Sequence, residues 1–199
     1  KRLFGGDIDL ISIFDGLYAY KGPGFAQIDL TNNCNNDCIG CWCNSHLLEE
    51  EKINAETKRQ TLPLERVIKL IDELYKMGTN HIYYAGGGEP FMHPQIMDIL
   101  RYTKRKGFIC HVNTNFTLID EKAVRELADL KADHLTVSVW AGTPQVYSAV
   151  HPNKNEGAFY KITEMLKLLN KIKRKYPIIK LYNVIFNMNN YDIERMIEF

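Results

Sequence analysis

The chain has 199 residues, of which 45% are hydrophobic and 25% charged, a globular composition that excludes disordered and fibrous classes. Its 25 Lys and Arg residues nearly balance 24 Asp and Glu residues, so the net charge of +1 gives no electrostatic preference for nucleic acid. No apolar run reaches the roughly 18 residues that a membrane helix needs. We expect one domain, or little more, with a single large core.

Strand and helix patterns alternate along the chain. A Gly-Pro-Gly turn at residues 22–24 separates an expected N-terminal extension, residues 1–24, from an expected core domain, residues 25–199. Alternating or continuous apolar residues predict strands over 25–31, 81–85, 108–112, 134–139 and 178–186. Apolar residues at helical spacing predict helices over 61–78, 95–106, 120–130, 156–175 and 191–199. The last helix has no stop signal, and we expect a piece of a longer protein.

This order predicts an α/β fold with a parallel sheet, either open or closed as a barrel. In both arrangements ligands bind at the carboxyl ends of the strands. The residues with unusual chemistry follow the five strands in turn: clustered cysteines, glycines with Glu89, Asn113-Thr114-Asn115, Ser138 and Asn187. This convergence predicts one functional site.

Four cysteines lie within ten residues after the first strand, at positions 34, 38, 41 and 43. Such a cluster in a large, core-rich chain favours a metal site over a disulfide framework. Thiolates bind zinc and iron–sulfur clusters, and three of them leave one coordination position open for a ligand that is not protein. Cys43 could close a four-thiolate zinc site, although the spacing is cramped for one, and we expect it to pack below the loop. We assign the isolated Cys110 to the core.

A glycine-rich segment, Gly86-Gly87-Gly88-Glu89-Pro90, follows the second strand. Residues without a Cβ let the backbone approach a ligand closely, and Glu89 can accept hydrogen bonds from an ammonium group. An ordinary strand-to-helix turn is the alternative. The segment is not a phosphate loop, because no Gly-Lys-Ser/Thr follows it.

These two motifs resemble those of the radical S-adenosylmethionine (SAM) enzyme superfamily, and the resemblance covers residues 25–199. Cys34-x3-Cys38-x2-Cys41 is similar to the superfamily's cysteine signature, and Gly87-Gly88-Glu89-Pro90 to its glycine–glycine–glutamate–proline element. The resemblance implies a partial (β/α) barrel of six strands, with five readable here and the sixth beyond Phe199. The long helix after the fourth strand resembles peptide-modifying members that carry a C-terminal cluster-binding extension.

The resemblance also implies a site. Its metal ligands are Cys34, Cys38 and Cys41, which bind three irons of a [4Fe–4S] cluster, while the amino and carboxylate groups of SAM chelate the fourth iron. Its SAM-binding residues are Gly87, Gly88, Glu89, Pro90, Asn115, Ser138 and Asn187.

The implied reaction begins when a low-potential donor delivers an electron to the cluster. Reductive cleavage of SAM then produces a 5′-deoxyadenosyl radical, which abstracts hydrogen from a substrate, either a peptide or a small metabolite. Such a cluster is oxygen-labile, which implies a cytoplasmic, low-oxygen setting.

Two alternatives stay open, one because Cys43 could complete a zinc site and the other because the sequence departs from the superfamily pattern. Gly40 stands where an aromatic residue or His is common, with Trp42 as a candidate to stack on the adenine, and Trp140 stands where many relatives have Asp. Where some relatives use Arg to bind the SAM carboxylate, the nearest equivalent here is His151, with Lys154 as a substitute. Among the other histidines, His93 and His111 lie nearest the glycine and asparagine motifs. The alternatives are a structural zinc-binding α/β domain and a non-catalytic relative that binds the cluster or SAM.

Overall fold

The five predicted strands form one parallel sheet in a computed structural model, which describes residues 13–48 and 53–199. Residues 1–12 of the expected N-terminal extension therefore lie outside the described residues. The strands occur in the sheet in sequence order: β1 (Phe25–Ile28), β2 (His81–Tyr84), β3 (Ile109–Thr114), β4 (His134–Ser138) and β5 (Ile178–Tyr182). Every adjacent pair is parallel, which confirms the predicted α/β fold.

Helices connect successive strands, as parallel pairing requires. They are α1 (Ala55–Lys58), α2 (Leu64–Lys76), α3 (Ile96–Arg105), α4 (Glu121–Leu130), α5 (Pro144–Val150), α6 (Glu156–Ile172) and α7 (Ile193–Glu198). Short 3₁₀ turns cover Pro90–Met92 and Asn190–Asp192. No helix in the described ranges is long and apolar enough to cross a membrane.

The two faces of the sheet differ in chemistry because side chains alternate along each strand. One face packs under the helices, and its side chains are almost fully buried: Ile82, Tyr84, Cys110, Val112, Leu135 and Val137. Cys110 therefore belongs to the core, as predicted. The opposite face carries partly exposed rings from three neighbouring strands, with ring centres 4.4–6.4 Å apart: His81, Tyr83, His111 and His134.

The sequence reading missed α5 and made β5 and α6 too long. Thr143 caps α5 by accepting a hydrogen bond from the Val146 N–H, and Pro144 occupies the first turn. After Tyr182 the chain leaves the sheet, because the side chains of Asn183 and Asn189 bond to backbone groups of the loops on either side. α6 ends at Ile172, before the Tyr176–Pro177 peptide bond.

Candidate functional site

A cavity of about 310 Å³ lies at the carboxyl ends of the strands. Segments that follow all five strands contribute to its walls. The structure thereby brings together most of the predicted site residues: Cys34, Cys38, Cys41, Gly87, Gly88, Glu89, Asn115 and Ser138. Pro90 is buried beside Glu89, whereas Asn187 is exposed and does not line the cavity.

The cysteine loop is held in place by backbone hydrogen bonds. The Cys41 N–H donates to the Cys38 carbonyl at 3.1 Å, which closes a turn between two of the thiols. The Ile39 N–H donates to the carbonyl of Val150 in α5 at 3.0 Å. Asn153, just after α5, accepts from the Asp37 N–H and donates to the Asn35 carbonyl, both at 3.0 Å. The thiols of the loop therefore have fixed positions against α5.

The three cavity-lining thiols differ in acidity. Burial raises the pKa of Cys34 to about 11 and raises that of Cys38 further. The side chain of Asn36 opposes this rise at Cys38. The pKa of Cys41 is instead lowered to about 6, chiefly by the hydrogen-bond contact between its sulfur and that of Cys43. Because metals bind the thiolate, Cys41 is the ligand best prepared for coordination.

Cys43 is buried, as predicted, and it joins the cysteine loop to the glycine segment. Its thiol donates to the Gly87 carbonyl at 3.1 Å, and the Asn44 side-chain amide donates to the same oxygen at 2.9 Å. Its sulfur lies 3.6 Å from that of Cys41. This position gives Cys43 a structural contact outside the set of thiols that line the cavity.

The three cavity-lining thiols are the type and number of donors that a cluster with an open iron requires. In the described parts of the chain, no three His, Cys, Asp or Glu side chains are gathered closely enough to bind one metal ion. A [4Fe–4S] cluster is wider than one ion, so its thiolate ligands stand farther apart. Three thiols that line one cavity, with Cys43 bonded elsewhere, match the donor set of a cluster with an open iron.

The glycine segment packs directly on the chain that follows β1. A Cβ on Gly88 would collide with the carbonyl oxygens of Thr31 and Asn33. Gly86 has φ of +128°, and a Cβ there would collide with the Asp29 carboxylate. Glycine is thus required at these positions for close backbone packing, in addition to any approach by a ligand.

Glu89 connects the end of β2 to the end of β3. Its carboxylate accepts hydrogen bonds from the Thr114 hydroxyl at 2.6 Å, the Asn115 N–H at 2.7 Å and the Phe91 N–H at 3.1 Å. Burial nevertheless raises its pKa to about 7. A cation in the cavity would favour the charged carboxylate, which is the electrostatic condition for binding an ammonium group.

The polar residues at the ends of β3 and β4 have defined contacts. The Asn115 side-chain amide donates to Asn35 Oδ1 at 2.9 Å and lies 4.0 Å from the Cys34 sulfur, so it joins β3 to the cysteine loop. The Ser138 hydroxyl donates to Asn113 Oδ1 at 3.3 Å. Thr114, the neighbour of Asn115 in the predicted motif, donates a hydrogen bond from its hydroxyl to the Glu89 carboxylate.

Trp140 lines the cavity with a strained backbone, at φ of +59°. Asn183 accepts its N–H at 2.7 Å, and Asn189 donates to its carbonyl at 2.9 Å. Its indole Nε1 is buried and has no hydrogen-bond partner among the described residues. Strain that neighbouring side chains hold in place is typical of functional positions. The asparagines after β5 that contact this site are Asn183 and Asn189, which lie on either side of the predicted Asn187 in sequence.

His151 and Lys154 do not line the cavity. His151 is buried, its ring stacks on Tyr147 with centres 4.2 Å apart, and burial lowers its pKa to about 4. It is therefore neutral at pH 7 and provides no charge for a carboxylate. His93 is also structural, since its ring nitrogens bond to the Leu62 carbonyl and the Gln95 N–H. His111 lies on the open face of the sheet.

Apart from Trp140, the sequence did not point to the polar residues around the cysteine loop. Buried side-chain atoms that lack a hydrogen-bond partner within the described ranges belong, apart from His81 Nε2, to four residues around this loop: Asn36, Asn44, Trp140 and Tyr147. For Asn36, its position between Cys34 and Cys38 was the sequence feature that could have indicated a place near the site. Polar atoms of this kind are satisfied when a further group occupies a site.

Comparison with known proteins agrees with the geometry. The model of the Radical SAM superfamily matches residues 28–199. A "Tungsten-containing aldehyde ferredoxin oxidoreductase cofactor-modifying protein" of Pyrococcus furiosus is 26% identical over 170 residues, which cover 84% of this chain and 45% of the relative. The "Antilisterial bacteriocin subtilosin biosynthesis protein AlbA" of Bacillus subtilis is 26% identical over 183 residues, covering 91% and 37%.

The fold has a similar counterpart among solved structures. The crystal structure of Streptococcus suis SuiB bound to S-adenosylmethionine superposes with a TM-score of 0.70 at 16% identity, covering 89% of this chain and 38% of SuiB. The chain thus spans less than half the length of each of these three proteins.

Proposed function

The chain belongs to the radical SAM superfamily, whose enzymes use a [4Fe–4S] cluster and SAM, and we propose that it is the core of an enzyme that abstracts hydrogen from a substrate. When bound, the reduced cluster supplies the electron that breaks a carbon–sulfur bond of SAM and yields a 5′-deoxyadenosyl radical. The protein supplies binding, orientation and exclusion of water. One observation carries the proposal: the three thiols and the glycine–glutamate segment line a single cavity.

We assign the cluster to Cys34, Cys38 and Cys41. Their loop is hydrogen-bonded to the end of α5 within the protein, which limits the order that has to be gained on binding. Cys43 keeps the Gly87 carbonyl in place, and this carbonyl helps to form the wall that receives the SAM amino group.

Glu89, Asn115 and Ser138 are the side chains that we assign to SAM. The Glu89 carboxylate provides negative charge for the ammonium group, held in place by three donors. Asn115 and Ser138 present polar groups at the ends of β3 and β4. The Trp140 ring and its unpartnered N–H complete the wall on the β4 side, where many relatives carry a carboxylate.

The substrate is a peptide or a small metabolite. The relatives' names support both classes, since one concerns bacteriocin biosynthesis and another cofactor modification. A separate low-potential protein or reductant supplies the electron. The free thiols of the loop match a reducing, low-oxygen cytoplasmic setting.

The test is anaerobic reconstitution followed by measurement of iron, acid-labile sulfide and zinc per chain. We expect about four irons and four sulfides, lost in the Cys34/Cys38/Cys41→Ala variant and retained in Cys110→Ala, whose thiol lies in the core. About one zinc without sulfide would contradict the proposal.

SAM cleavage is then measured after chemical reduction of the loaded protein. We expect 5′-deoxyadenosine to form in the parent and not in the triple variant. A protein that holds four irons and binds SAM without forming this product would be the non-catalytic relative instead.

A further inference from the structure

A groove lies at the edge of the sheet where the strands begin, opposite the cavity that the cysteines line. It consists of two adjoining hollows of about 480 and 560 Å³, which share Asp129, Lys131 and Tyr176. Asp133, just before β4, lines one hollow, whereas Ser138 at the other end of β4 lines the cavity. The length of β4, roughly 15 Å, therefore separates the groove from the cavity.

Positive charge predominates along this groove, although the net charge of the whole chain is only +1. Six basic side chains line it: Arg101, Lys104, Arg105, Lys131, Arg174 and Lys175. Its acidic side chains are Asp129 and Asp133. Asp133 is already bonded to the Lys104 ammonium group and to the Cys110 N–H. We call this surface the basic groove.

Four of the basic side chains have no carboxylate partner. Arg101 pairs with Asp98 and Glu126, and Lys104 pairs with Asp133. Within the part of the chain that the structure describes, the others form no ion pair: Arg105, Lys131, Arg174 and Lys175. Arg105 lies over the ring of Tyr102, and Lys175 over that of Tyr176. Their charges are therefore available to an anionic partner.

The ends of the helices explain only part of this charge. A basic residue in the last turn of a helix interacts favourably with the helix dipole, as Arg105 does in α3. α4 has no basic residue in its last turn, and Lys131 follows that turn, as Arg174 and Lys175 follow the end of α6. Lys131 also has a left-handed backbone, with φ of +54°, at a helix end where glycine is common. A lysine thus stands where its conformation is unfavourable, which is typical of functional positions.

The lining between these charges is apolar. Half-buried side chains provide it: Ala128, Leu130, Ile172 and Tyr176. An apolar centre with a charged rim, rich in Arg and Tyr, is typical of surfaces that bind proteins. The phosphate backbone of a nucleic acid has no apolar side chains to bury there, and the carboxylate of Asp129 would repel it. The groove therefore suits a polypeptide better than a nucleic acid.

We propose that the basic groove binds an acidic segment of a partner protein, in which Glu or Asp residues alternate with apolar ones. Carboxylates of this segment pair with Lys131, Arg174 and Lys175, while its apolar side chains cover Leu130 and Tyr176. Because the groove and the cavity lie at opposite ends of the strands, the bound partner leaves the cavity accessible. The inference goes beyond the proposed function and does not require the cluster.

The test is fluorescence anisotropy of the full chain with a short labelled peptide that alternates Glu with Leu. Two further probes are compared: the same peptide with Gln in place of Glu, and a single-stranded DNA oligonucleotide with the same number of negative charges. We expect the Glu peptide to bind more tightly than either of them. Its affinity should fall as the salt concentration rises from about 0.05 to 0.5 M, because exposed charges are screened.

Two variants remove the same positive charge from different places. One changes the basic groove: Lys131→Gln/Arg174→Gln/Lys175→Gln. The matched control changes exposed positions outside it: Lys69→Gln/Lys122→Gln/Arg195→Gln. We expect the first variant to weaken binding of the Glu peptide at least about tenfold, and the control by less than about twofold. All six positions are exposed, so both variants should fold like the parent, as urea unfolding would verify.

Each other outcome counts against the inference. Equal weakening in the two variants would show attraction by net charge alone and overturn it. Equal affinities for the Glu and Gln peptides would also overturn it, and tighter binding of the oligonucleotide would assign the groove to nucleic acid instead. None of these results bears on the proposed function, which is tested by the iron and sulfide content.

Discussion

The side of the cavity formed at the ends of β2 and β3 has its polar side chains paired within the protein, whereas the side at the end of β4 has a buried polar atom without a partner among the described residues. On the first wall, formed by Gly86–Glu89, Thr114 and Asn115, the Glu89 carboxylate accepts three hydrogen bonds. On the second wall, formed by Ser138, Trp140 and Tyr182, the Trp140 Nε1 has no partner within the described ranges and the Ser138 hydrogen bond is long, at 3.3 Å. The first wall thus takes its shape from contacts within the protein.

This difference separates stability from recognition. Groups paired within the protein stabilise the fold and hold the site's shape, and their loss should lower the free energy of unfolding. Unpaired or weakly paired groups contribute little to stability and have bonding capacity left for a ligand. The superfamily's glycine–glutamate motif lies on the first wall, and the departure at Trp140 lies on the second. The following variants test this division in order of expected effect on the unliganded protein.

The largest effect is expected for Gly88→Ala on the first wall. The new Cβ would collide with backbone oxygens of Thr31 and Asn33, which cannot move aside as a flexible side chain would. We expect a loss of about 3 kcal/mol of unfolding free energy in a urea titration. The control is Gly24→Ala, where a Cβ meets nothing within 4 Å and the stability should change by less than about 0.5 kcal/mol. Equal stabilities for the two variants would contradict the packing argument.

The next effect is a dependence of the free energy of unfolding on pH, which is caused by the buried Glu89 carboxyl. Its pKa is raised from 4.5 to about 7 by burial, so between these values the unfolded chain ionises while the folded chain does not. The protonated Glu89 carboxyl therefore contributes fully to the free energy of unfolding below pH 4.5. This contribution, on the order of 3 kcal/mol, is lost as the pH rises through 7. Glu89→Gln cannot ionise and should gain stability relative to the parent between pH 5 and pH 8. Glu164→Gln, at an exposed helical position, should keep the parent's pH dependence.

The division between the walls also marks what could be predicted from the sequence. The cysteine motif and the glycine–glutamate motif of the first wall are each contiguous in sequence, so Cys34, Gly87 and Glu89 were recognisable without a structure. Their hydrogen bonds to Thr114 and Asn115 then follow from neighbouring strands of a parallel sheet. The prediction of a single site at the carboxyl ends of the strands rested on this topology together with the unusual residues that follow each strand.

The second wall depends on contacts distant in sequence, which local patterns do not show. Trp140 is held at positive φ by Asn183 and Asn189, more than forty residues away. The sequence pattern pointed to Asn187, because it could not specify where the chain turns after β5. The short α5, which carries Tyr147, was missed because a Thr-Pro start was its main signal.

A smaller loss is expected for Thr114→Val on the first wall. The Thr114 hydroxyl donates to the buried Glu89 carboxylate at 2.6 Å and accepts from the Phe116 N–H at 2.9 Å. Valine has the same shape and leaves both partners unpaired, so we expect a loss of about 2 kcal/mol by urea unfolding at pH 8. Thr163→Val is the control, because its hydroxyl only bonds back to the Phe159 carbonyl within α6. A similar loss in both variants would show that Thr114 has no special role.

The smallest loss of stability is expected for Ser138→Ala, which removes one hydroxyl from the second wall, on the strand next to that of Thr114. The hydroxyl is half-buried and its hydrogen bond to Asn113 is 3.3 Å long, so unfolding should change by less than about 0.5 kcal/mol. If Ser138 bonds to SAM as we propose, the same variant should bind SAM up to about tenfold more weakly in calorimetry of the cluster-loaded protein. Thr163→Val should leave this affinity unchanged. A Ser138→Ala variant that is as unstable as Thr114→Val, or that binds SAM as the parent does, would mean that the two walls do not divide stability from recognition.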